Sequence, residues 1–401
     1  MNNYIPRFLA HSIREGLDFS RIIILTGARQ VGKTTLVKNE VPMKEWAFIS
    51  FDDLYALEQA KKAPEELLTI SDYLVIDEVQ RVPEFLFWIK KAVDEDPKRR
   101  FVLTGSSHLL LMKEISETLA GRGLYYELMP FSLKEIEKKQ PPNWLLNPQE
   151  ILEKKSPDFE LEFALFRGFL PPVYFLKEEK HIFRWWESYV RTYLERDLRD
   201  LTHINYLPDF RKLMTLCALR TANILKQTEL ARDVGLPQTT VSRYLNLLEV
   251  SCLLIKLPSF TKNLAKRLIK SPKIFFIDPG LTAHLAGKAN LKDIDLKTMS
   301  MLFENFVFLN LYVFTQLKFG HIFYFRTYGG REKEVDFVLE IEGKVIGVEV
   351  KYSKNVRFSD IENLRFLKEV CPKFEYGFII YLGNEIKRLG SVFYAIPWWY
   401  I

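Results

Sequence analysis

The apolar run Ile22-Ile-Ile-Leu25 leads straight into Gly27-Ala-Arg-Gln-Val-Gly32-Lys33-Thr34, and that junction constrains the fold more than anything else in the chain. The spacing is GxxxxGK[ST] without a mismatch, placed after a strand and before a helix that begins near Lys33. Glycines in such a loop let backbone N–H groups curl around phosphate oxygens, and the following helix adds the partial positive charge of its N-terminus. Gly27, Ala28, Arg29, Gln30, Val31, Gly32, Lys33, Thr34 and Thr35 therefore form the expected nucleotide cradle. Lys33 is placed to reach the β- and γ-phosphates, and the Thr34 hydroxyl to bind Mg²⁺. ATP with Mg²⁺ is the implied ligand.

Further apolar runs extend that strand into a sheet. Trp46-Ala-Phe-Ile-Ser-Phe51, Tyr73-Leu-Val-Ile76 and Arg100-Phe-Val-Leu-Thr104 each read as a buried parallel strand, with helical patterns between them. The run Tyr73-Leu-Val-Ile76 ends in Asp77-Glu78. Adjacent acids at the end of a buried strand are costly unless they have a task. Asp77 suits Mg²⁺, and Glu78 suits polarising an attacking water. Phe101-Val-Leu-Thr104-Gly-Ser106-Ser107 brings hydroxyls to the next strand end, near a γ-phosphate or simply as strand terminators. Arg122, between Gly121 and Gly123, is a candidate to reach phosphate in cis or from a neighbouring subunit, which would make the protein a homo-oligomer.

The rest of the chain changes character twice. Pro141-Pro142, Pro148 and Pro157 mark a linker, and an aromatic, charged helical stretch follows to about 205. Thr228 to Val234, Gly235-Leu-Pro237 and Gln238 to Leu248 then read as helix, tight turn, helix, with Gly235 in the turn and Thr239 or Thr240 capping the second helix. The strand-like run Cys252 to Leu257 follows as a wing would. Gln238, Thr239, Thr240, Ser242 and Arg243 are the groove-facing candidates, while Val241, Tyr244, Leu245 and Leu248 recur at core spacing. Lys262, Lys266, Arg267 and Lys270 lie downstream, where they would meet phosphates. Such modules also dock proteins, so DNA and a protein partner both stay open.

In the last third, Glu334-Val-Asp336-Phe-Val-Leu-Glu340 and Val345-Ile-Gly-Val-Glu349-Val-Lys351 read as a hairpin around Glu342-Gly343. The period-2 rule puts Glu349 and Lys351 on one face, with Asp336 opposite and Glu304, from Leu302-Phe-Glu-Asn-Phe-Val307, as a fourth member. Two carboxylates and a lysine can bind Mg²⁺ and orient water, with Asp336 and Glu349 as the metal ligands. A solvated hairpin with an ordinary Glu-x-Lys pair gives the same pattern.

These residues together resemble a prokaryotic family of AAA+-type P-loop ATPases whose C-terminal half is described as a domain of unknown function. The likeness runs over essentially the whole chain: the loop through Thr35, Ile76-Asp-Glu-Val-Gln80, Leu103 to Ser107, Leu119-Ala-Gly-Arg122 and Pro130-Phe-Ser132. It continues through Tyr193-Leu-Glu-Arg-Asp197, Phe276-Ile-Asp-Pro-Gly-Leu281, Phe303 to Val307, Glu334-Val-Asp-Phe337 and Val348-Glu-Val-Lys351. The resemblance implies an α/β P-loop core, a winged helix and a C-terminal α/β domain similar to the PD-(D/E)XK nuclease fold. In that fold Asp336, Glu349 and Lys351 match the metal and catalytic positions and Glu304 the helical acid. Val335 stands where the motif's name has proline. The expected organisation is an ATPase core over 1–140, a helical linker over 141–205, a winged helix over 206–262 and the nuclease-like domain over 263–401.

Composition narrows the remaining choices. Among 401 residues, 57 Lys and Arg against 51 Asp and Glu give a net charge of +6, which permits nucleic acid without demanding it. Cys217, Cys252 and Cys371 lie far apart, which argues against zinc and disulfides and fits a reducing compartment. No signal peptide opens the chain, and the longest apolar run, Phe306 to Phe314, is broken by Asn310 and far short of the ~18 residues that span a bilayer. A cytoplasmic protein without membrane contact is expected. Three functions stay open: an ATP-driven switch acting on DNA, a signalling or scaffold ATPase that binds a protein partner, and a metal-dependent nuclease regulated by ATP.

Overall fold

The computed structural model describes residues 4–40, 42–105, 118–151, 159–192, 207–261, 270–327 and 332–401. Pro157, Ser106, Ser107, Tyr193 to Asp197, Lys262, Lys266 and Arg267 lie outside the described residues. The chain forms two compact units: Met1–Met129 with Leu247–Leu253, and Pro130–Asn246 with Leu254–Ile401.

In the first unit, α1 (Leu9–Phe19) precedes β1 (Ile22–Thr26), followed by α2 (Lys33–Asn39) and β2 (Ala47–Ser50). Then come α3 (Leu54–Lys62), α4 (Pro64–Leu68), β3 (Tyr73–Asp77), α5 (Phe85–Glu95), β4 (Arg100–Thr104) and β5 (Gly123–Glu127). All five strands run parallel, in the order β2-β3-β4-β1-β5. Ile22 to Leu25, Leu74 to Ile76 and Phe101 to Leu103 are almost wholly buried, as expected for strands covered on both faces. One face packs Ile24, Ile76 and Leu103 against Phe85, Leu86, Ile89 and Val93 of α5. Each such side chain contributes about 1.5–3 kcal/mol on burial. Because the sheet is parallel, the ends of β1, β3 and β4 open on one edge, where α/β proteins place their ligands.

β5 is the strand that periodicity did not reveal. Its Leu124, Tyr125, Tyr126 and Glu127 are half-buried or exposed at the sheet edge, so no apolar run marks it.

The second unit carries α6 (Leu161–Arg167), α7 (Glu179–Tyr189), α8 (Leu207–Ala218), α9 (Gln227–Val234) and, up to Asn246, α10 (Gln238–Val250). β6 (Leu254–Leu257) and β7 (Lys273–Phe276) pair antiparallel. Next come α11 (Pro279–Leu285), α12 (Leu296–Leu317), β8 (His321–Arg326), β9 (Glu334–Ile341), β10 (Lys344–Lys351), α13 (Glu362–Val370), β11 (Phe374–Tyr381), β12 (Lys387–Arg388) and β13 (Phe393–Pro397). The sheet order is β12-β13-β11-β10-β9-β8, with β10, β11 and β13 parallel and the other pairings antiparallel. Glu342 and Gly343 turn the β9–β10 hairpin with φ of 51° and 77°, as a two-residue turn of the hairpin type needs. On one face α12 stacks Phe308 on Phe275 and sets it beside Phe337. On the other, Leu364 and Leu367 of α13 cover Val338, Val345 and Ile379.

α12 contains the Phe306–Phe314 run, and its polar interruption is structural: Asn310 Oδ1 accepts the Leu133 amide at 2.8 Å. Residues 131–146 are tied to this unit by the C-terminal tail as well. Lys134 Nζ donates to the Trp399 carbonyl at 2.6 Å and Trp144 Nε1 to that of Tyr400 at 2.8 Å. Among the described residues, no helix is long and apolar enough to cross a membrane.

The turn between α9 and α10 uses Gly235 at φ 83°, with the Gly235 and Leu236 amides both on the Ala231 carbonyl. One local expectation is corrected. α10 begins at Gln238, so Thr239 and Thr240 lie inside its first turn and do not cap it. Pro237, whose carbonyl takes the Val241 amide at 3.1 Å, opens the helix two residues before a Thr239 cap would.

Candidate nucleotide-binding site

The loop after β1 has the backbone its glycines allow. Gly27 stands at φ 137°, and a Cβ there would lie 2.5 Å from the Leu128 carbonyl oxygen. Gly32 adopts φ 102° directly before α2. Lys33 is buried and folds back over the loop, its Nζ donating to the carbonyls of Gly27 at 2.9 Å and Ala28 at 3.0 Å. Burial lowers its pKa, against the pull of the Glu78 and Asp77 carboxylates. A buried ammonium hydrogen-bonded to the carbonyls of its own loop can attract an anion.

Asp77, at the end of β3, collects the hydroxyls around it. Thr34 Oγ1 lies 3.1 Å from both carboxylate oxygens, Ser50 Oγ lies 3.5 Å from Oδ2, and Thr104 donates to Oδ1. Glu78, one residue on, is held in the left-handed region at φ 56°. Burial raises its carboxyl pKa, with Lys33 opposing, and Gln80 Nε2 donates to Oε2. Thus Lys33, Thr34, Asp77 and Glu78 converge on one edge of the sheet. The set fits Mg-nucleotide: a cation for phosphate, and a hydroxyl already oriented on a carboxylate for the metal. Arg122 is placed elsewhere, forming an ion pair with Asp94 at 3.0 Å.

Arg7 is a supporting residue that the motif does not announce. Its buried guanidinium donates to the Val31 carbonyl at 3.0 Å and to that of Met129, bracing the loop. Nothing in sequence spacing marks an arginine twenty-odd residues before its partner. Ser50 is visible in the sequence only as a strand end, and Thr104 as a strand-end hydroxyl that could lie near a γ-phosphate.

The C-terminal acids also converge, but around an unexpected partner. Lys273, the first residue of β7, is 2% exposed and puts its Nζ 2.7 Å from Glu334, 3.3 Å from Glu304 and 3.6 Å from Asp336. Burial alone would lower the Lys273 pKa, but the Glu304, Asp336 and Glu334 carboxylates outweigh it and hold the ammonium charged. Asp336 Oδ2 accepts the Val350 amide at 2.8 Å. Glu349 is buried, takes Asn363 Nδ2 at 3.3 Å and has its pKa pushed well up by burial and by Asp336. Lys351 approaches Glu349 at 3.8 Å and is itself half-exposed. With an ammonium among Glu304, Glu334 and Asp336, these residues as arranged do not fit a divalent cation. Among the described residues, no group of three or more His, Cys, Asp and Glu is disposed to hold one.

Family models match the chain in three separate segments. Residues 19–137 match the AAA domain family, while residues 158–292 and 299–401 match two different domains of unknown function. An uncharacterized protein of Mycobacterium tuberculosis is 28% identical over 98% of this chain and 83% of its own. Another, from Methanocaldococcus jannaschii, is 25% identical over 84% of this chain and 76% of its own. A Walker-type ATPase of Pyrococcus abyssi superposes with a TM-score of 0.48 at 17% identity, covering 71% of this chain and 96% of that one. The segment that carries the phosphate loop, Asp77 and Glu78 is the one that matches the AAA domain family.

Proposed function

We propose that the protein is an ATP-driven switch that acts on DNA through the α9–α10 helix pair. Lys33 and the loop hold the phosphates, Thr34 and Asp77 hold Mg²⁺, and Glu78 orients the attacking water. Mg²⁺, when bound, supplies charge neutralisation of the phosphates. The observation that carries the DNA part is the two-sidedness of α10. Val241, Tyr244, Leu245 and Leu248 are buried, while Gln238, Thr239 and Arg243 are exposed and Thr240 and Ser242 half-exposed. That outward row is polar, uncharged at its start and basic at Arg243, the chemistry that reads base edges and phosphates in a major groove.

Two results are expected. Lys33→Ala weakens ATP binding by roughly 100-fold or more, the loss of one charge-assisted contact and of the loop shape it holds. A fluorescent nucleotide titration reads this, and tight binding retained in that variant would end the assignment. Separately, duplex binding falls steeply with salt as counterions are released, differs between ATP and ADP states, and weakens about tenfold in Arg243→Ala. Binding that ignores salt and Arg243 would instead favour the scaffold reading, with a protein as partner.

A further inference from the structure

We propose that the Lys273 ammonium is the built-in cation of the C-terminal acid cluster, standing where a divalent ion would otherwise sit, so that the cluster supports no metal-dependent cleavage. This does not rest on the DNA reading. The spacing of Asp336, Glu349 and Lys351 by itself suggests a metal site; Lys273, from a different strand and 63 residues before Asp336 in the chain, changes what the acids can do.

The lysine is fixed from both sides. β7 pairs with β6 through Leu257 opposite Lys273, and a bridge joins Lys273 to Ile224 on its other edge. The Ile274 carbonyl takes the Ala222 amide at 2.8 Å, and the Pro272 carbonyl the Leu225 amide at 2.7 Å. The side chain then crosses 6.0 Å from the Tyr324 ring centroid to reach the three acids. Asp336 has Oδ1 3.6 Å from the Lys273 ammonium, accepts the Val350 amide on Oδ2 at 2.8 Å and also hydrogen-bonds Glu349. Glu334 is shared between Lys273 and Arg326, whose Nη1 lies 3.4 Å away. A Mg²⁺ or Mn²⁺ ion held by Asp336 would need these same Asp336 oxygens at about 2.0–2.2 Å, within repulsive reach of the buried Lys273 ammonium. The acids hold a lysine as a buried ion pair, which is stable while all partners remain.

Mn²⁺ uptake by the full-length protein without nucleotide, followed by electron paramagnetic resonance, tests the idea. Wild type and Asp336→Asn should take up Mn²⁺ equally, because no ion sits on Asp336. Lys273→Gln should gain a site, with uptake tighter by roughly tenfold or more, that disappears again when Asp336→Asn is added. A Mn²⁺ site in wild type that Asp336→Asn removes would overturn the proposal, as would a folded Lys273→Gln that gains none. If Lys273→Gln does not fold, the comparison of wild type with Asp336→Asn decides alone.

Discussion

In a Glu78→Gln protein, nucleotide binding is expected to stay within a few-fold of wild type, while ATP turnover falls by about 10²–10⁴-fold, the range that a positioned acid–base group contributes. The argument rests on how the residue is held. A non-glycine residue at φ 56° sits in a sparsely populated region, a conformation that costs about 1–3 kcal/mol and persists only where the surroundings enforce it. Here the following turn does so. The Arg81 amide closes on the Glu78 carbonyl at 3.0 Å, and the Arg81 guanidinium anchors to the Phe51 carbonyl at 2.9 Å and to Asp52 at 2.8 Å. The raised pKa makes the carboxylate a better proton acceptor, nearer the poise a general base needs. Glutamine keeps the shape and one acceptor oxygen but takes no proton. Phosphate release and nucleotide affinity measured side by side separate the two roles. Turnover within tenfold of wild type would mean that water is activated by some other group.

How much of this was readable in advance follows the range of the interactions. The phosphate loop, four of the five parallel strands and Asp77-Glu78 are local patterns: β-branched runs, a glycine spacing, acids at a strand end. β5 escaped because an edge strand need not be apolar on both faces, and its Tyr125 is left half in water. Arg7 and Ser50 act through tertiary contacts that no spacing encodes, and Thr104, legible as a strand-end hydroxyl, meets Asp77 only in the fold. Lys273 is the sharpest case. A lysine opening an apolar strand reads as a solvated strand end, and only the fold brings Glu304, Glu334 and Asp336 around it. Its presence is what separates the acid pattern seen in the sequence from the metal site that the pattern suggests.

Asp278→Ala is expected to lower the stability of the second unit by about 3 kcal/mol or more, since each buried donor left unpaired costs about 1–3 kcal/mol. Asp278 is fully buried in Phe276-Ile-Asp-Pro-Gly-Leu281. Its Oδ2 accepts the amides of Phe169 at 2.7 Å and Leu170 at 2.8 Å, and its Oδ1 that of Gly280 at 2.7 Å. One carboxylate thus joins the end of α6 to the start of α11. Its carbonyl also takes Thr282 Oγ1 at 3.1 Å, and that hydroxyl reaches Asn305 at 2.8 Å on α12. Three helices share this point. pH gives a second readout. Burial raises the Asp278 pKa from 3.8 to about 6, against the backbone amides that favour the ionised form. A carboxyl raised on folding contributes most when protonated, and that contribution is lost as pH rises through the folded value. The deficit of Asp278→Ala should therefore be larger at pH 5 than at pH 8 in urea unfolding followed by tryptophan fluorescence. A deficit below about 1 kcal/mol, the scale of a single exposed hydrogen bond, would show that water or backbone rearrangement satisfies the three amides. A deficit that grew with pH would show that the ionised carboxylate is the form the fold prefers.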